Sequence, residues 1–310
     1  MSNFELNLQL FAAEDGVITA ANMKKVREVD FVEQFAGTSL KKLMEALGVT
    51  RKIPMMEGTT MYAYKTVGYL EDGMVDEGDV IPLSQYVRRK EPVGEIGLKK
   101  WRKAVTAEAI KKSGYDEAMR ETDARMLNDI QKGIRADFFN FLTAIGSEPV
   151  QGETLQAVLA KLWGSLQVLF EDDAVDPVFF INPLTVAEYM ATASVTVQTA
   201  FGLNYITDFL GLGTVVMSSY VPQGTVYATA KDNLILYYLT LDGDVARAFD
   251  LTVDETGFVG MHTAQTDDRA QIETLVMSGV QFLVEYIDGV VTGEIAGASG
   301  GGSDNDGGLI

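Results

Sequence analysis

Hydrophobic residues recur in steps of three and four between residues 113 and 146. This spacing predicts an amphipathic helix, which at 1.5 Å per residue would be roughly 45 Å long. Ser113 is the predicted N-cap, Gly146 and Pro149 end the helix, and Gly133 is the position where a bend is easiest. The predicted apolar stripe consists of Met119, Met126, Leu127, Ile130, Ile134, Phe138, Phe141, Leu142 and Ile145.

Shorter helices are predicted on both sides of this segment. Residues 38–48 begin at Thr38, a residue type that caps helices, and end at Gly48, which tolerates the left-handed conformation. Residues 155–169 carry a leucine at every third or fourth position, and residues 184–190 follow an Asn182-Pro183 break. The two apolar stripes are Leu40, Leu43, Met44 and Leu47, and then Leu155, Leu159, Leu162, Leu166 and Leu169.

Short apolar runs between turn residues predict strands in the second half of the chain. These runs are residues 178–181, 214–218, 225–230 and 234–239. Residues 251–295 predict mostly long strands, with Gly279 in the middle of one and Asp288-Gly289 as a hairpin turn. At the two ends, residues 1–36 predict an extended arm and the Gly/Ser/Asp-rich residues 297–310 a disordered tail.

Residues 53–112 show strand-forming arms with no clear apolar face. The inner arms, residues 61–70 and 80–90, are joined by an acidic, glycine-punctuated stretch. An isolated two-stranded ribbon is marginal in water and needs a third layer or a partner. We therefore expect a protruding ribbon that another copy of the chain completes. Its returning arm is expected to end at residues 101–106 and to lead into a short helix at 107–112.

Composition excludes several classes of site. The 310 residues include 25 Lys and Arg against 44 Asp and Glu, a formal net charge of −19. This balance argues against nucleic-acid binding over the whole surface, because that affinity comes from cations at phosphates. It is compatible with simple solubility, or with a wall along which enclosed DNA slides. The absence of cysteine excludes disulfides and thiolate chemistry, and a single histidine excludes a multi-histidine metal site.

No targeting or membrane segment is apparent. No apolar run reaches the roughly 18 residues of a membrane span, and the N-terminus lacks the basic start of a signal peptide. We therefore expect a protein that is made and kept in the cytoplasm.

Acidic side chains at the predicted ribbon tip suggest calcium, which prefers clustered carboxylates. Their spacing matches no known calcium loop, and charges at a hairpin tip also prevent edge-to-edge aggregation, so we interpret the tip as solvated. In the tail, residues 304–307 resemble a fragment of a calcium loop but lack its bidentate glutamate. The tip residues are Glu71, Asp72, Asp76, Glu77 and Asp79.

Other catalytic signals are weak. Gly211-Leu212-Gly213 precedes a strand and opens no helix, so it is interpreted as a turn and not as a phosphate loop. His262 has Asp267 and Asp268 nearby in sequence, but no Gly-x-Ser-x-Gly elbow presents a serine. No pair of acids is singled out for glycoside hydrolysis. The sequence therefore predicts no catalytic, cofactor-binding or metal-binding residue, and no enzyme.

Four tyrosines lie on the predicted ribbon arms. Two roles are considered for these side chains. One is stacking on bases or sugars, and the other is cross-strand or intersubunit contacts. We favour the contacts. The residues are Tyr62, Tyr64, Tyr69 and Tyr86.

The order of these parts resembles the major capsid proteins of tailed bacteriophages, which have the HK97-like fold. Residues 7–12 (NLQLFA) are similar to the opening of structural proteins from phages of Gram-positive bacteria, and residues 75–82 to the acidic turn of the family's extended loop. Residues 179–183 (FFINP) resemble its strand-to-helix step, and residues 213–225 its later strand pair. The resemblance covers nearly the whole chain.

This resemblance implies an α+β fold with an N-terminal arm (1–36), an extended β-hairpin loop (53–106) and an axial domain (151–240). A discontinuous peripheral domain that contains the spine helix would comprise residues 37–52, 107–150 and 241–296. The extended loop would lie across the adjacent subunit.

The resemblance also implies a function. The chain would form hexamers and pentamers that build an icosahedral shell around double-stranded DNA, without specific DNA binding, cofactor or membrane. It would assemble in the bacterial cytoplasm and reside in the virion. Because about 36 residues precede the first firm helix, a separate scaffolding protein is expected, together with a portal protein. No Lys–Asn pair for a covalent cross-link is identified.

Two alternatives remain open. One is an encapsulin-like nanocompartment, which uses the same fold around a cellular cargo. The other is an acidic hydrolase or carbohydrate-binding protein, which would be a compact monomer with a cleft of converging carboxylates.

Overall fold

The computed structural model describes residues 27–76, 78–145, 147–170, 175–191, 196–200 and 202–296. Most of the predicted arm, the predicted tail with residues 304–307, and the acidic turn 171–173 therefore lie outside the described residues. Within the described ranges the strands form four sheets, of three, seven, four and two strands. The fold is thus α+β, as predicted.

The elements, in chain order, have the following bounds. The helices are α1 (Lys41–Leu47), α2 (Ala107–Ser113), α3 (Tyr115–Ala144), α4 (Leu155–Leu169), α5 (Pro183–Met190) and α6 (Gly243–Ala248). The strands are β1 (Arg51–Met55), β2 (Thr60–Tyr69), β3 (Gln85–Glu95), β4 (Lys99–Thr106), β5 (Val150–Gly152), β6 (Pro177–Ile181), β7 (Gln198–Ala200), β8 (Leu203–Phe209), β9 (Gly213–Met217), β10 (Thr225–Ala230), β11 (Leu234–Leu239), β12 (Thr252–Val253), β13 (Val259–Thr266), β14 (Gln271–Ser278), β15 (Val280–Val284) and β16 (Val290–Ile295).

The first described residues are helical, not extended. Residues 27–32 are α-helical and continue through a π-helical segment, Glu33–Leu40, into α1. Phe31 and Phe35 are buried in the main core. The prediction of an extended arm is therefore wrong for residues 27–36, and Thr38 lies within the helical run and does not cap it.

The end of α1 and its apolar stripe are confirmed. Gly48 adopts the left-handed conformation with φ 66°. An added Cβ there would lie 2.3 Å from the Lys231 side chain, so both the left-handed backbone and the lack of space favour glycine. All four predicted stripe residues are buried: Leu40, Leu43, Met44 and Leu47.

The spine helix α3 has 30 residues and runs without interruption through Gly133. Its N-cap is Gly114, with φ 83°, because Ser113 belongs to the preceding helix α2. The predicted cap at Ser113 is therefore wrong. Phe139 was not in the predicted stripe, yet it is fully buried and meets Phe180 edge to face at 5.7 Å.

The seven-stranded sheet has the order β5-β16-β10-β6-β9-β8-β7. Every residue of β6 is buried, which explains its unbroken apolar sequence. The predicted helices α4 and α5 are confirmed. Asn182 caps α5 by accepting a hydrogen bond from the Leu184 amide at 2.9 Å and donates to the Val221 carbonyl at 2.7 Å.

The closing strands are shared among three sheets. β14 pairs with β13 and β4, whereas β15 pairs with β11 beside β1, and β16 enters the seven-stranded sheet. Gly279 is therefore not in mid-strand but at a change of sheet, where a Cβ would lie 2.6 Å from Leu239. Likewise Asp288-Gly289 is not a hairpin turn, because the strands on either side belong to different sheets.

The predicted division into domains stays a prediction, and the strand pairings connect its parts. β16 completes the sheet assigned to residues 151–240, while β11, from that same range, joins the three-stranded sheet with β15. The returning strand β4 lies in the four-stranded sheet, so that the ribbon itself consists of β2 and β3 alone. The prediction that this strand leads into a short helix is confirmed.

Candidate functional site

The ribbon of β2 and β3 is the candidate functional site. Its antiparallel register runs from Thr60 opposite Glu95 to Tyr69 opposite Gln85, with a bulge that leaves Val93 unpaired. Gly68 lies opposite Tyr86, and a Cβ on Gly68 would lie 2.4 Å from the Tyr86 ring. The glycine thus gives the tyrosine ring room to lie across the strand.

The base of the ribbon is packed against the body. Met61, Ala63 and Ile96 are buried. Met61 and Ile96 belong to a core cluster that also includes Tyr237 of β11 and Leu283 of β15. Burial of these side chains stabilises the base of the ribbon, since each large apolar group contributes about 1.5–3 kcal/mol.

The outer ribbon has no such support. Among the residues whose side chains are described, every one from Lys65 to Pro92 is exposed except Glu71, which is half-buried. The hairpin strands end at Tyr69 and Gln85, and none of the described residues between them belongs to a strand. The prediction of a protruding ribbon is therefore confirmed.

The tip is apolar as well as acidic, which the sequence analysis missed. Met74, Val80 and Leu83 are 91%, 91% and 90% exposed. Monomeric proteins rarely leave such groups together in water, so a clustered set of them marks an interaction surface. The tip residues with large exposed apolar side chains are Leu70, Met74, Val75, Val80, Ile81 and Leu83.

The acidic tip residues take part in turns. The Asp72 carboxylate accepts a hydrogen bond from the Met74 amide at 3.0 Å, and the Asp76 carbonyl accepts one from the Asp79 amide at 3.0 Å. Across the described residues, no group of three or more acids or histidines is arranged to hold a metal ion. Glu77 lies outside the described residues.

The four ribbon tyrosines differ in their contacts. The Arg88 guanidinium lies 3.6 Å from the centre of the Tyr64 ring, and the Lys90 ammonium lies 5.4 Å from that of Tyr62. Tyr69 and Tyr86 are 57% and 64% exposed near the tip. Tyr62 and Tyr64 therefore make cross-strand contacts, and their partners are the cationic side chains of Lys90 and Arg88.

The other sequence candidates are dispersed. Gly211 and Gly213 form the predicted turn between β8 and β9. His262 lies on β13, where its Nδ1 is 3.0 Å from the Asp250 carbonyl oxygen, and Asp267 and Asp268 lie beyond the end of that strand. His262 is thus a strand histidine with a backbone partner.

A buried charge cluster joins the first described helix to the spine. Asp123 Oδ2 is 3.3 Å from Arg27 Nε and Asp123 Oδ1 is 2.5 Å from Lys103 Nζ. Arg27 also donates to Thr263 and Thr274 of the four-stranded sheet. Burial lowers the pKa of Lys103, and the hydrogen bond and charge of Asp123 act against this lowering. The three charged groups are held as ion pairs, although Arg27 Nη1 and both Asp123 carboxylate oxygens are buried without a hydrogen-bond partner, apart from these pairs, among the described residues.

None of the described helices is long and apolar enough to cross a bilayer.

Comparisons by sequence give no match: no family model fits the chain, and no curated protein is similar to it. Comparisons by structure give many matches. A capsid structure of the cyanophage P-SCSP1u is 9% identical, with a TM-score of 0.51 over 82% of this chain and 88% of that chain. A structure from Gordonia phage Cozz is 10% identical, with a TM-score of 0.50 over 82% and 86%.

A virus-like particle from Pyrococcus furiosus matches at 15% identity, with a TM-score of 0.48 over 89% of this chain and 100% of that chain. The long helix, the several sheets and the two phage structures with TM-scores of 0.51 and 0.50 agree on the architecture. The expectation drawn from the resemblance is thereby confirmed for the fold, and this chain has the HK97-like fold of capsid proteins.

Proposed function

We propose that this chain is the subunit of a closed protein shell, and that the shell is the head of a tailed bacteriophage. The observation that carries the proposal is the outer ribbon, whose apolar tip is exposed in the single subunit. In a shell, the tip of each copy would be buried on the next copy, at about 25 cal/mol per Å² of apolar surface. Because each subunit makes the same contact, weak contacts sum to a stable assembly.

The charge of the chain fits a container for DNA. With a net charge of −19, the subunit would not adhere to packaged DNA over its whole surface. We propose that hexamers and pentamers of this chain enclose DNA without specific binding, with a separate scaffolding protein and a portal protein as partners. No chemistry is assigned to the chain in this role.

The test is electron microscopy of the full-length protein, expressed with its neighbouring genes. Regular closed particles a few tens of nanometres across, filled with DNA when packaging genes are present, would support the proposal. Particles of one size that contain a cellular enzyme would instead support the encapsulin-like alternative. A monomer at all concentrations, with or without the neighbouring gene products, would refute both.

A further inference from the structure

The carboxylate of Glu285 lies where the ribbon leaves the body. Glu285 directly follows β15, and its side chain is 12% exposed. Its Oε1 is 3.2 Å from Arg88 Nη2 on the ribbon strand β3, and its Oε2 is paired with Arg51 on the body strand β1. The hydrogen bond to Glu285 raises the pKa of Arg51, so this arginine stays charged. One carboxylate therefore holds a ribbon cation and a body cation together.

Neighbouring groups reinforce the same point of attachment. The Tyr64 amide donates to the Glu285 carbonyl at 2.7 Å, and the Arg88 guanidinium lies over the rings of both Tyr64 and Tyr286, at 3.6 and 5.1 Å from their centres. Lys65 pairs with Asp288 at 3.5 Å. We call the set of Arg51, Tyr64, Arg88, Glu285 and Tyr286 the ribbon anchor.

The ribbon anchor is the outermost attachment of the ribbon. Among the described ribbon residues, none farther out than Lys65 and Arg88 makes a hydrogen bond or ion pair with the body. From Lys65 to Tyr69 the strand extends about 14 Å at ~3.4 Å per residue, and the tip lies beyond it. A rotation of about 15° at the anchor would therefore move the start of the tip by about 4 Å over that length.

From this geometry we infer that Glu285 is the positioning residue of the ribbon: through Arg88, it sets the direction in which the ribbon projects toward a second copy of the chain. The role of this positioning in assembly rests on the proposed function. The fixed direction of the ribbon is a property of the single subunit. Glu285 acts on the ribbon through Arg88.

The test measures the direction of the ribbon in the unassembled full-length chain. The protein has no cysteine, so the substitutions Met74→Cys at the tip and Val168→Cys on α4 introduce two clean sites for spin labels. Both positions are well exposed, at 91% and 77%. Pulsed electron spin resonance, with labelled chain diluted in unlabelled chain, then gives the intramolecular distance distribution.

We expect one narrow distribution for the parent chain and a distribution broadened or shifted by several ångström for Glu285→Gln and for Arg88→Gln. The matched control is Glu91→Gln, which removes the same charge from an exposed site on β3 for which no ion pair is found. Arg51→Gln, which alters only the body side of the anchor, is expected to keep the distribution narrow.

An unchanged distribution in Glu285→Gln, or equal broadening in Glu91→Gln, overturns the inference. Circular dichroism shows whether Glu285→Gln is folded; if it is not, Arg88→Gln decides, because Arg88 is 47% exposed and its loss leaves the core intact. A parent chain that never forms shells would refute the proposed function and leave the distance result standing. The two failures are therefore distinguishable.

Discussion

The apolar ribbon tip leads to a prediction in which folding and assembly separate. The perturbation is Leu83→Ser, at a side chain that is 90% exposed. Such a residue contributes little to the fold, and substitutions at exposed sites usually change the free energy of unfolding by less than about 0.5 kcal/mol. We therefore expect the thermal unfolding of the subunit to stay unchanged.

Assembly should respond quite differently. If a neighbouring copy buries Leu83, the substitution removes roughly 1.5–3 kcal/mol from each contact. At ~1.4 kcal/mol per factor of ten, this corresponds to a contact about ten- to a hundredfold weaker. Because every subunit in the shell carries the substitution, the concentration required for assembly should rise by a similar factor.

The assay is the yield of sedimenting particles as a function of subunit concentration, with electron microscopy of the pellet. Leu83→Met is the matched control, since it keeps a large apolar side chain and should assemble as the parent does. Removal of residues 71–79 is the stronger version, expected to leave a folded subunit that assembles poorly. Normal assembly of Leu83→Ser, or a markedly lower melting temperature, would refute the reasoning.

Three further predictions concern the ribbon, the core and the buried charges. Gly68→Ala should displace Tyr86, because the new Cβ would lie 2.4 Å from its ring; hydrogen exchange should become faster in the outer ribbon only. Phe180→Ala should lower the free energy of unfolding by about 3–5 kcal/mol in urea titrations, since the ring is fully buried. Because burial lowers the pKa of Lys103, the unfolded chain binds more protons between that lowered pKa and the ordinary lysine pKa of about 10.4. The contribution of Lys103 to the free energy of unfolding therefore rises with pH across that window and is lost as pH falls through the lowered pKa. In Lys103→Met, titrated in parallel, this pH-dependent contribution should vanish. An identical dependence of stability on pH in the two proteins would contradict the prediction.

The elements predicted correctly from the sequence are those whose own residue pattern shows which side chains are buried. The buried leucines of α4 recur with the helical period because one core cluster covers them, whereas β6 is a continuous apolar run because its alternate residues enter two different core clusters. The ribbon was predicted for a related reason: its polar arms have no face to bury. Its role in assembly follows from the resemblance and remains a proposal.

Other features depend on contacts distant in sequence. The helix at residues 27–32 was missed because its first residues are charged, although Arg27 and Glu28 are held by threonines of the four-stranded sheet. The change of sheet at Gly279 was equally hidden, since β14 and β15 together look like one long strand. Such switches depend on which partner strand is nearby, and local propensity carries no information about that.

The apolar tip was overlooked for a different reason. In the sequence its acids and glycines dominate, and residues 76–79 separate Met74 and Val75 from the second apolar run at residues 80–83. Only the fold shows that no described residue of the same subunit covers them. Exposure is a property of the whole molecule, so a pattern along the chain could not reveal it.

The place of β16 in the sheet order has a consequence for synthesis of the chain. This strand lies between β5 and β10, and its Gly293 fits directly against Val158 of α4, where a Cβ would be only 2.6 Å away. The sheet whose first strand begins at residue 150 therefore lacks the strand between β5 and β10 until residue 295 has left the ribosome. Pairing over such a sequence separation is slow compared with local helix formation. Completion of this sheet is therefore a late step in the folding of the subunit.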